Sequence, residues 1–443
     1  MPVSKYTINN YTKEYGSIMQ FNKNKDTYIH GWYPFVEGYS KDFIRSIINE
    51  YSKRFSRLPT SCLEPFSGSG TTPLELQKLG IGCTSFEVSP FMYNLSLAKL
   101  DTKYTVNTFK KYYSEIATSL DNYHMDIERY ISPPNTKTIV EKPGLDKWNF
   151  NHEIMKGILD IKYAINLIKS SRYKSLFKIA LASILLDVSN VYRNGKCISY
   201  KKDWKSTVKY SRTDVHSIYL QKLEQVFLPD IIKLEQYKRN NGTLFSNYEK
   251  CTWGDVRKKL PVTTKDSSID LIITSPPYLN SRDYTDTYMV ELKMLDYIKN
   301  YDELRKLRSK TLRSHVQVKW EDVKLLNVES LRNSVSEIAE HKDEFWNDSL
   351  LNMIKGYFED FDILFQNLNR KLNQNGIIYF NVANSAYFGV EIKTDEIVAE
   401  IAENNGFVVE EIREARQIKP SSQQKETIDS LRESVIVITK KGK

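Results

Sequence analysis

Apolar positions along the chain follow two rhythms. Short continuous runs stop abruptly at turn residues, the pattern of strands buried on both faces of a parallel sheet. Ile269 to Ile273 is the strongest, ending at Thr274-Ser275-Pro276-Pro277-Tyr278. Ser61 to Glu64 and Cys83 to Val88 are shorter ones, and Gly376 to Asn384, Phe407 to Glu411 and Ser434 to Thr439 continue the series. Between them stand helical stretches: the segment after Gly70, Thr394 to Gly406, and about Asn151 to Asn190 with Leu176 to Val188 inside it. Thr72-Pro73-Leu74-Glu75 predicts a capping box with proline in the first turn, and Gly80 the helix stop. Strands alternating with helices predict an α/β sheet, interrupted by a mostly helical insertion.

The longest nearly continuous apolar stretch, Ile179 to Leu186 with Ser183 inside it, is far short of the roughly 20 residues of a membrane span, so no membrane association is expected. The first residues, Met1 to Lys5, lack the basic-then-apolar order of an export signal. Cys62, Cys83, Cys197 and Cys251 show no C-x-x-C spacing, which points to reduced thiols and a cytoplasmic location. The six histidines are dispersed, and no metal site is expected.

Charge changes the picture once it is divided along the 443 residues. Residues 101 to 240 hold 24 Lys+Arg against 15 Asp+Glu, an excess of nine that equals the net charge of the whole chain, +9. Within it Arg193, Lys196, Lys201, Lys202 and Lys205 are interleaved with Tyr192, Tyr200 and Trp204, a mixture suited to a phosphate backbone and its bases. The alternative is a solvated basic face with ordinary packing aromatics. A second basic cluster runs from Arg305 through Arg313 to Lys319.

Two units carry the candidate chemistry. In Glu64-Pro65-Phe66-Ser67-Gly68-Ser69-Gly70-Thr71, two glycines at a strand-to-helix turn permit close backbone approach to a ligand. The turn lacks the lysine of a triphosphate-binding loop and the third glycine of a dinucleotide fingerprint. Glu87 closes the next strand, where doubly wound folds grip ribose hydroxyls. In Thr274-Ser275-Pro276-Pro277-Tyr278, two prolines end the ladder and fix a rigid turn that presents the Ser275 hydroxyl, nearby carbonyls and a flat tyrosine ring. A second Ser-Pro-Pro string at 132 to 134 lacks both the preceding strand and the tyrosine, and is read as a loop.

These two units resemble the signature motifs of the amino-group DNA methyltransferases, which form N4-methylcytosine or N6-methyladenine. Trp253-Gly254-Asp255 and His30-Gly31-Trp32-Tyr33-Pro34-Phe35 resemble further cofactor-pocket motifs of the same family. The resemblance covers residues 28 to 100 and 246 to 440. It implies a Rossmann-like class I methyltransferase sheet in residues 1–100 and 246–443, with 101–245 as a basic, mainly helical DNA-binding insertion.

It further implies S-adenosylmethionine as cofactor, held by Glu64, Phe66, Gly68, Gly70, Thr71, Glu87 and Asp255. Glu87 would bind ribose and Asp255 the adenine amino group. Ser275 and the Pro276 carbonyl would hold the amino hydrogens of a flipped base, with Pro277 fixing the turn and Tyr278 stacking on the ring. Serine at 275 resembles the cytosine-N4 branch, with adenine N6 as the alternative. RNA base methylation, protein amide methylation and a non-catalytic nucleic-acid-binding protein stand behind these. The implied partner is double-stranded DNA, and the family admits a cognate restriction endonuclease. The long basic insertion between Glu87 and Asp255 departs from the family's usual arrangement.

Overall fold

The computed structural model describes residues 4–442 apart from 37, 137, 195–196, 208, 242–248, 280–282, 322, 421–423 and 425–426. Eight strands make the main sheet: β1 (Ile8–Asn10), β2 (Ser61–Glu64), β3 (Gly82–Glu87), β4 (Glu249–Trp253), β5 (Ile269–Thr274), β6 (Leu372–Ala383), β7 (Phe407–Ile418) and β8 (Leu431–Lys440). Their order is β1-β7-β8-β6-β5-β2-β3-β4, and every pairing is parallel except those of β8 with β6 and β7. This is the Rossmann-like class I methyltransferase arrangement, with its switch point between β2 and β5.

Residues alternate between the two faces of the sheet, as the pleat requires. Ile378, Phe380 and Val382 of β6 pack with Phe361 and Phe365 of the helix Leu350–Lys371. Ile377 and Tyr379 face the other way, toward Phe43, Ile44 and Ile47 of the helix Lys41–Phe55. Every residue of β5 is buried, Asp270 included, which Arg57, Thr60 and Asn373 hold by hydrogen bonds. The strands after residue 372 are longer than the pattern predicts, because β7 and β8 continue through polar residues that are themselves buried, Arg413 in β7 and Glu433 in β8.

The helical expectation for 151–190 resolves into two helices, His152–Leu167 and Ser171–Val188. They pack with Val106–Asp121, Arg212–Lys222 and Leu228–Asn241 in the insertion. The insertion shares its core with Trp32, with Phe91 and Leu95 of the helix Pro90–Leu100, and with Val290 to Leu295. Its core is distinct from the two on the faces of the sheet and is shared with helices of the sheet unit. The Ser-Pro-Pro string at 132 to 134 lies outside any helix or strand.

One local expectation is corrected. The helix Thr71–Lys78 opens without a side-chain cap, behind Gly70 in the left-handed conformation (φ 81°). Thr72 and Glu75 are drawn elsewhere: the Thr72 hydroxyl donates to Glu64 at 2.9 Å, and Glu75 accepts from His30, Arg45 and Lys78.

Candidate active site

The two motifs sit on adjacent strands. Cys62 and Leu63 of β2 pair with Leu271 and Ile272 of β5, so both turns emerge at the same edge of the sheet, where open α/β sheets bind ligands. Glu64 fastens one to the other. Its Oε1 accepts from Thr274 Oγ1 at 2.6 Å and from the Phe66 amide at 3.0 Å, and its Oε2 from the Tyr39 hydroxyl at 2.7 Å and from Thr72. Burial pushes the Glu64 carboxyl up to about 7 against the pull of these donors.

Above this junction lies a cavity of about 1170 Å³, larger than the roughly 300–1,000 Å³ of a single-ligand pocket. Glu64, Phe66, Gly68, Thr71, Glu87, Asp255 and the whole Ser275-Pro276-Pro277-Tyr278 turn line it. Gly70 does not appear among its walls. It lies against the helix Pro90–Leu100, where a Cβ would stand 2.9 Å from Ser96 Oγ, so its contribution is to the turn. At Gly68 (φ 51°), which lines the cavity, an added Cβ would meet the Phe35 ring at 3.2 Å.

Glu87, half-buried at the end of β3, accepts from the Gly68 amide at 2.8 Å and the Ser89 amide at 2.7 Å. With the Val88 amide also among its donors, the carboxylate keeps at least one lone pair for a further donor. Burial pushes this carboxyl up to about 7 as well. Asp255 caps the helix Val256–Thr263, and Arg257 holds both its oxygens at 2.9 Å. Its wall position is as expected, but the arginine shares its accepting capacity. Glycine-lined backbone, a carboxylate facing a hydroxyl position and an apolar floor that includes Phe35, Phe66 and Phe86 fit a nucleoside-bearing cofactor such as S-adenosylmethionine.

At the other end the Ser275 hydroxyl faces Tyr278 Oη at 3.4 Å, and Tyr278 Oη donates to Glu433 at 2.7 Å. Burial first, and then the Glu433 carboxylate, hold the Tyr278 phenol well above its ordinary range, so it stays protonated. Asn381 Nδ2 reaches Tyr278 Oη at 2.7 Å and Ser275 Oγ at 3.2 Å. The Pro277 carbonyl is taken by Tyr357 at 2.9 Å.

Asn381, Glu433 and Arg416 line this end and are absent from the candidate residues read from the sequence. Asn381 had a signal, being the lone polar residue in the buried run Ile377 to Ala383. Glu433 had a weaker one, next to the apolar run of β8. Tyr39, which also lines the cavity, had none.

The basic insertion is placed differently from expectation. Arg193, on the two-stranded hairpin Val191–Arg193 and Ile198–Tyr200, has a side chain only 4% exposed. It pairs with Glu291 at 2.7 Å, donates to Tyr33 Oη and the Thr287 carbonyl, and lies 4.6 Å from the Tyr288 ring centre. This buried cation fastens the insertion to the sheet unit and is not presented to a phosphate. Lys201 donates at 2.9 Å to the carbonyls of Leu186 and Asp187, closing the helix Ser171–Val188. Lys202 and Lys205 are exposed, and Lys196 lies outside the described residues. Arg193, Lys201, Lys202 and Lys205 do not line the cavity. Among the described residues, the lysines that do are Lys310 and Lys419, both exposed.

No family model matches the chain. It is 25% identical over 457 residues to the type II methyltransferase M.BsoBI of Geobacillus stearothermophilus, covering 92% of this chain and 84% of the relative. It is 25% identical to the type II methyltransferase M.AvaI of a Nostoc species, over 89% of this chain and 82% of that one. It is 22% identical to the type II methyltransferase M.MvaI of Kocuria varians, over 88% and 84%. Among solved structures, a methyltransferase from Galdieria sulphuraria aligns with 90% of this chain and 85% of its own at 7% identity and a TM-score of 0.29, too low to carry an argument. The sequence relatives fit a DNA methyltransferase family, in agreement with the two motifs.

Proposed function

We propose that this relative of the type II methyltransferases is a site-specific DNA methyltransferase, which transfers a methyl group from S-adenosylmethionine to the exocyclic amino group of a flipped base, cytosine N4 in the first place. The observation that carries the proposal is the single cavity shared by the Gly68 turn and the Ser275-Pro276-Pro277-Tyr278 turn. When bound, the cofactor supplies an electrophilic methyl group on a sulfonium. Gly68, Glu87 and Asp255 would hold it, with Phe66 and Phe35 against its flat parts.

An exocyclic amino nitrogen is a poor nucleophile because its lone pair is delocalised into the base. Ser275 Oγ and the Pro276 carbonyl answer this by accepting the amino hydrogens, which draws electron density back onto nitrogen. Tyr278 offers its ring as a stacking surface while its hydroxyl is anchored at Glu433. Orientation and fixed dipoles then supply much of the acceleration. An amino group inside a duplex cannot reach the floor of such a cavity, so the base must leave the stack. Lys310 and Lys419 stand on the cavity wall where a phosphate backbone would lie, with Lys202 and Lys205 as additional contacts. The same reading places the protein in the cytoplasm, beside a restriction endonuclease directed at the same sequence.

The test is sequencing, with detection of modified bases, of DNA from a host that expresses the chain. N4-methylcytosine at one recurring sequence is the expected result. N6-methyladenine would overturn the choice of base, and unmodified DNA the function.

A further inference from the structure

Serine is an ambiguous reader of a base, because its hydroxyl carries one hydrogen and two lone pairs and turns to suit its partner. Here that freedom is removed from a distance. Glu433, on β8 and 1% exposed, accepts from Arg416 Nε at one oxygen and from Tyr278 Oη at the other. A carboxylate only accepts, so Tyr278 spends its one hydrogen on Glu433 and meets its remaining neighbours with lone pairs.

Those neighbours are Asn381 Nδ2 at 2.7 Å and Ser275 Oγ at 3.4 Å. Asn381 Nδ2 also lies 3.2 Å from both Ser275 Oγ and Glu433 Oε1. With an obligatory acceptor among its three contacts, the amide must present its NH2 end to all of them. The two amide hydrogens serve three acceptors, Tyr278 Oη nearest and Ser275 Oγ sharing the second with Glu433, so the serine hydrogen points at Tyr278 while its lone pairs face Asn381 and the cavity.

We infer that Glu433, acting through Tyr278 and Asn381, is a positioning residue that makes Ser275 an acceptor toward the substrate, so that the site admits an exocyclic amino group and rejects a keto oxygen. The inference rests on the proposed methyl transfer to a base. A base with oxygen in place of the amino group would set lone pairs against the lone pairs of Ser275 and the Pro276 carbonyl, leaving buried polar groups without partners. Glutamine at 433 would present either an oxygen or an NH2 to Tyr278, and the direction of the whole chain would no longer be imposed.

The experiment measures steady-state transfer of labelled methyl from S-adenosylmethionine to unmethylated genomic DNA by the full chain, with Glu433→Gln, Tyr278→Phe and the double variant. Tyr278→Phe keeps the stacking ring and removes the relay. Each single variant is expected to lose roughly 10- to 100-fold in kcat, the worth of a hydrogen bond to a charged group. KM for DNA and cofactor affinity should stay within about threefold, since neither variant removes a binding contact. The double variant should be no more than about threefold slower than the slower single one, because both act on one chain. Losses that multiply, or full kcat in Glu433→Gln, would overturn the inference while leaving the methyl-transfer reading in place. A wild-type chain that methylates no DNA would overturn both.

Discussion

If Glu87 holds the cofactor as proposed, affinity for it should depend on pH in a calculable way. The Glu87 carboxyl is pushed up to about 7 by burial, against the pull of the amides of Ser89, Gly68 and Val88. A ribose hydroxyl donates much more strongly to the ionised form, so binding favours loss of the proton. Below pH 7 affinity should fall with falling pH, and above it level off. With a midpoint near 7, roughly a tenth of the sites are ionised at pH 6 and nine-tenths at pH 8, so affinity should rise about tenfold, or ~1.4 kcal/mol, between them. Calorimetric titration with S-adenosylmethionine at pH 6, 7 and 8, in two buffers of different ionisation enthalpy, reads both the affinity and the protons released. The ligand's own amino group titrates nearby, so the quantity to follow is the ratio of wild-type affinity to that of Glu87→Gln. That ratio should grow about tenfold across the range. A constant ratio would refute the reasoning, because Glu87 would then not meet the ligand as a carboxylate.

Three further predictions concern stability and DNA. Arg193→Ala removes one partner of a buried ion pair and should destabilise the fold by about 3–5 kcal/mol, seen in chemical denaturation, with the salt dependence of DNA binding unchanged. Glu64 is raised in the folded state, so its contribution to stability is complete below about pH 4.5 and is lost as pH rises through about 7. The ligand-free chain should therefore lose up to about 3 kcal/mol between those limits, and Glu64→Gln should flatten the profile. Changing Lys202 and Lys205 together to alanine should weaken DNA binding and lower the slope of log affinity against log salt by about 2, read by fluorescence anisotropy; an unchanged slope would move the backbone contacts to Lys310 and Lys419.

Six of the eight strands were legible as apolar runs, and each functional turn breaks such a run with glycine or proline; β1 and β4, Ile8–Asn10 and Glu249–Trp253, carry no such run and were not. Adjacency of the two turns was not written locally. It follows from the crossover that sets β5 beside β2, a long-range pairing. Charge misled where burial intervened. Arg193 reads as one more cation in a basic stretch, yet Glu291, almost a hundred residues away, draws it inside. Thr72 and Glu75 have the spacing of a capping box, but Glu64 and His30 offer them buried partners that no local rule contains. Asn381 and Glu433 showed only as polar positions in or beside apolar runs, since their meaning lies in Ser275 and Tyr278 on a different strand end.

The most direct measurement follows the methyl group itself. Purified protein, DNA and S-adenosylmethionine labelled in the methyl carbon are incubated, and the DNA is digested to nucleosides and separated by mass. The label should appear as N4-methylcytosine with the wild-type chain and vanish with Ser275→Ala, while cofactor binding persists in both. Unlabelled nucleosides from the wild type, or equal labelling by the variant, would contradict the claim that one cavity brings the methyl donor to an amino group held at Ser275.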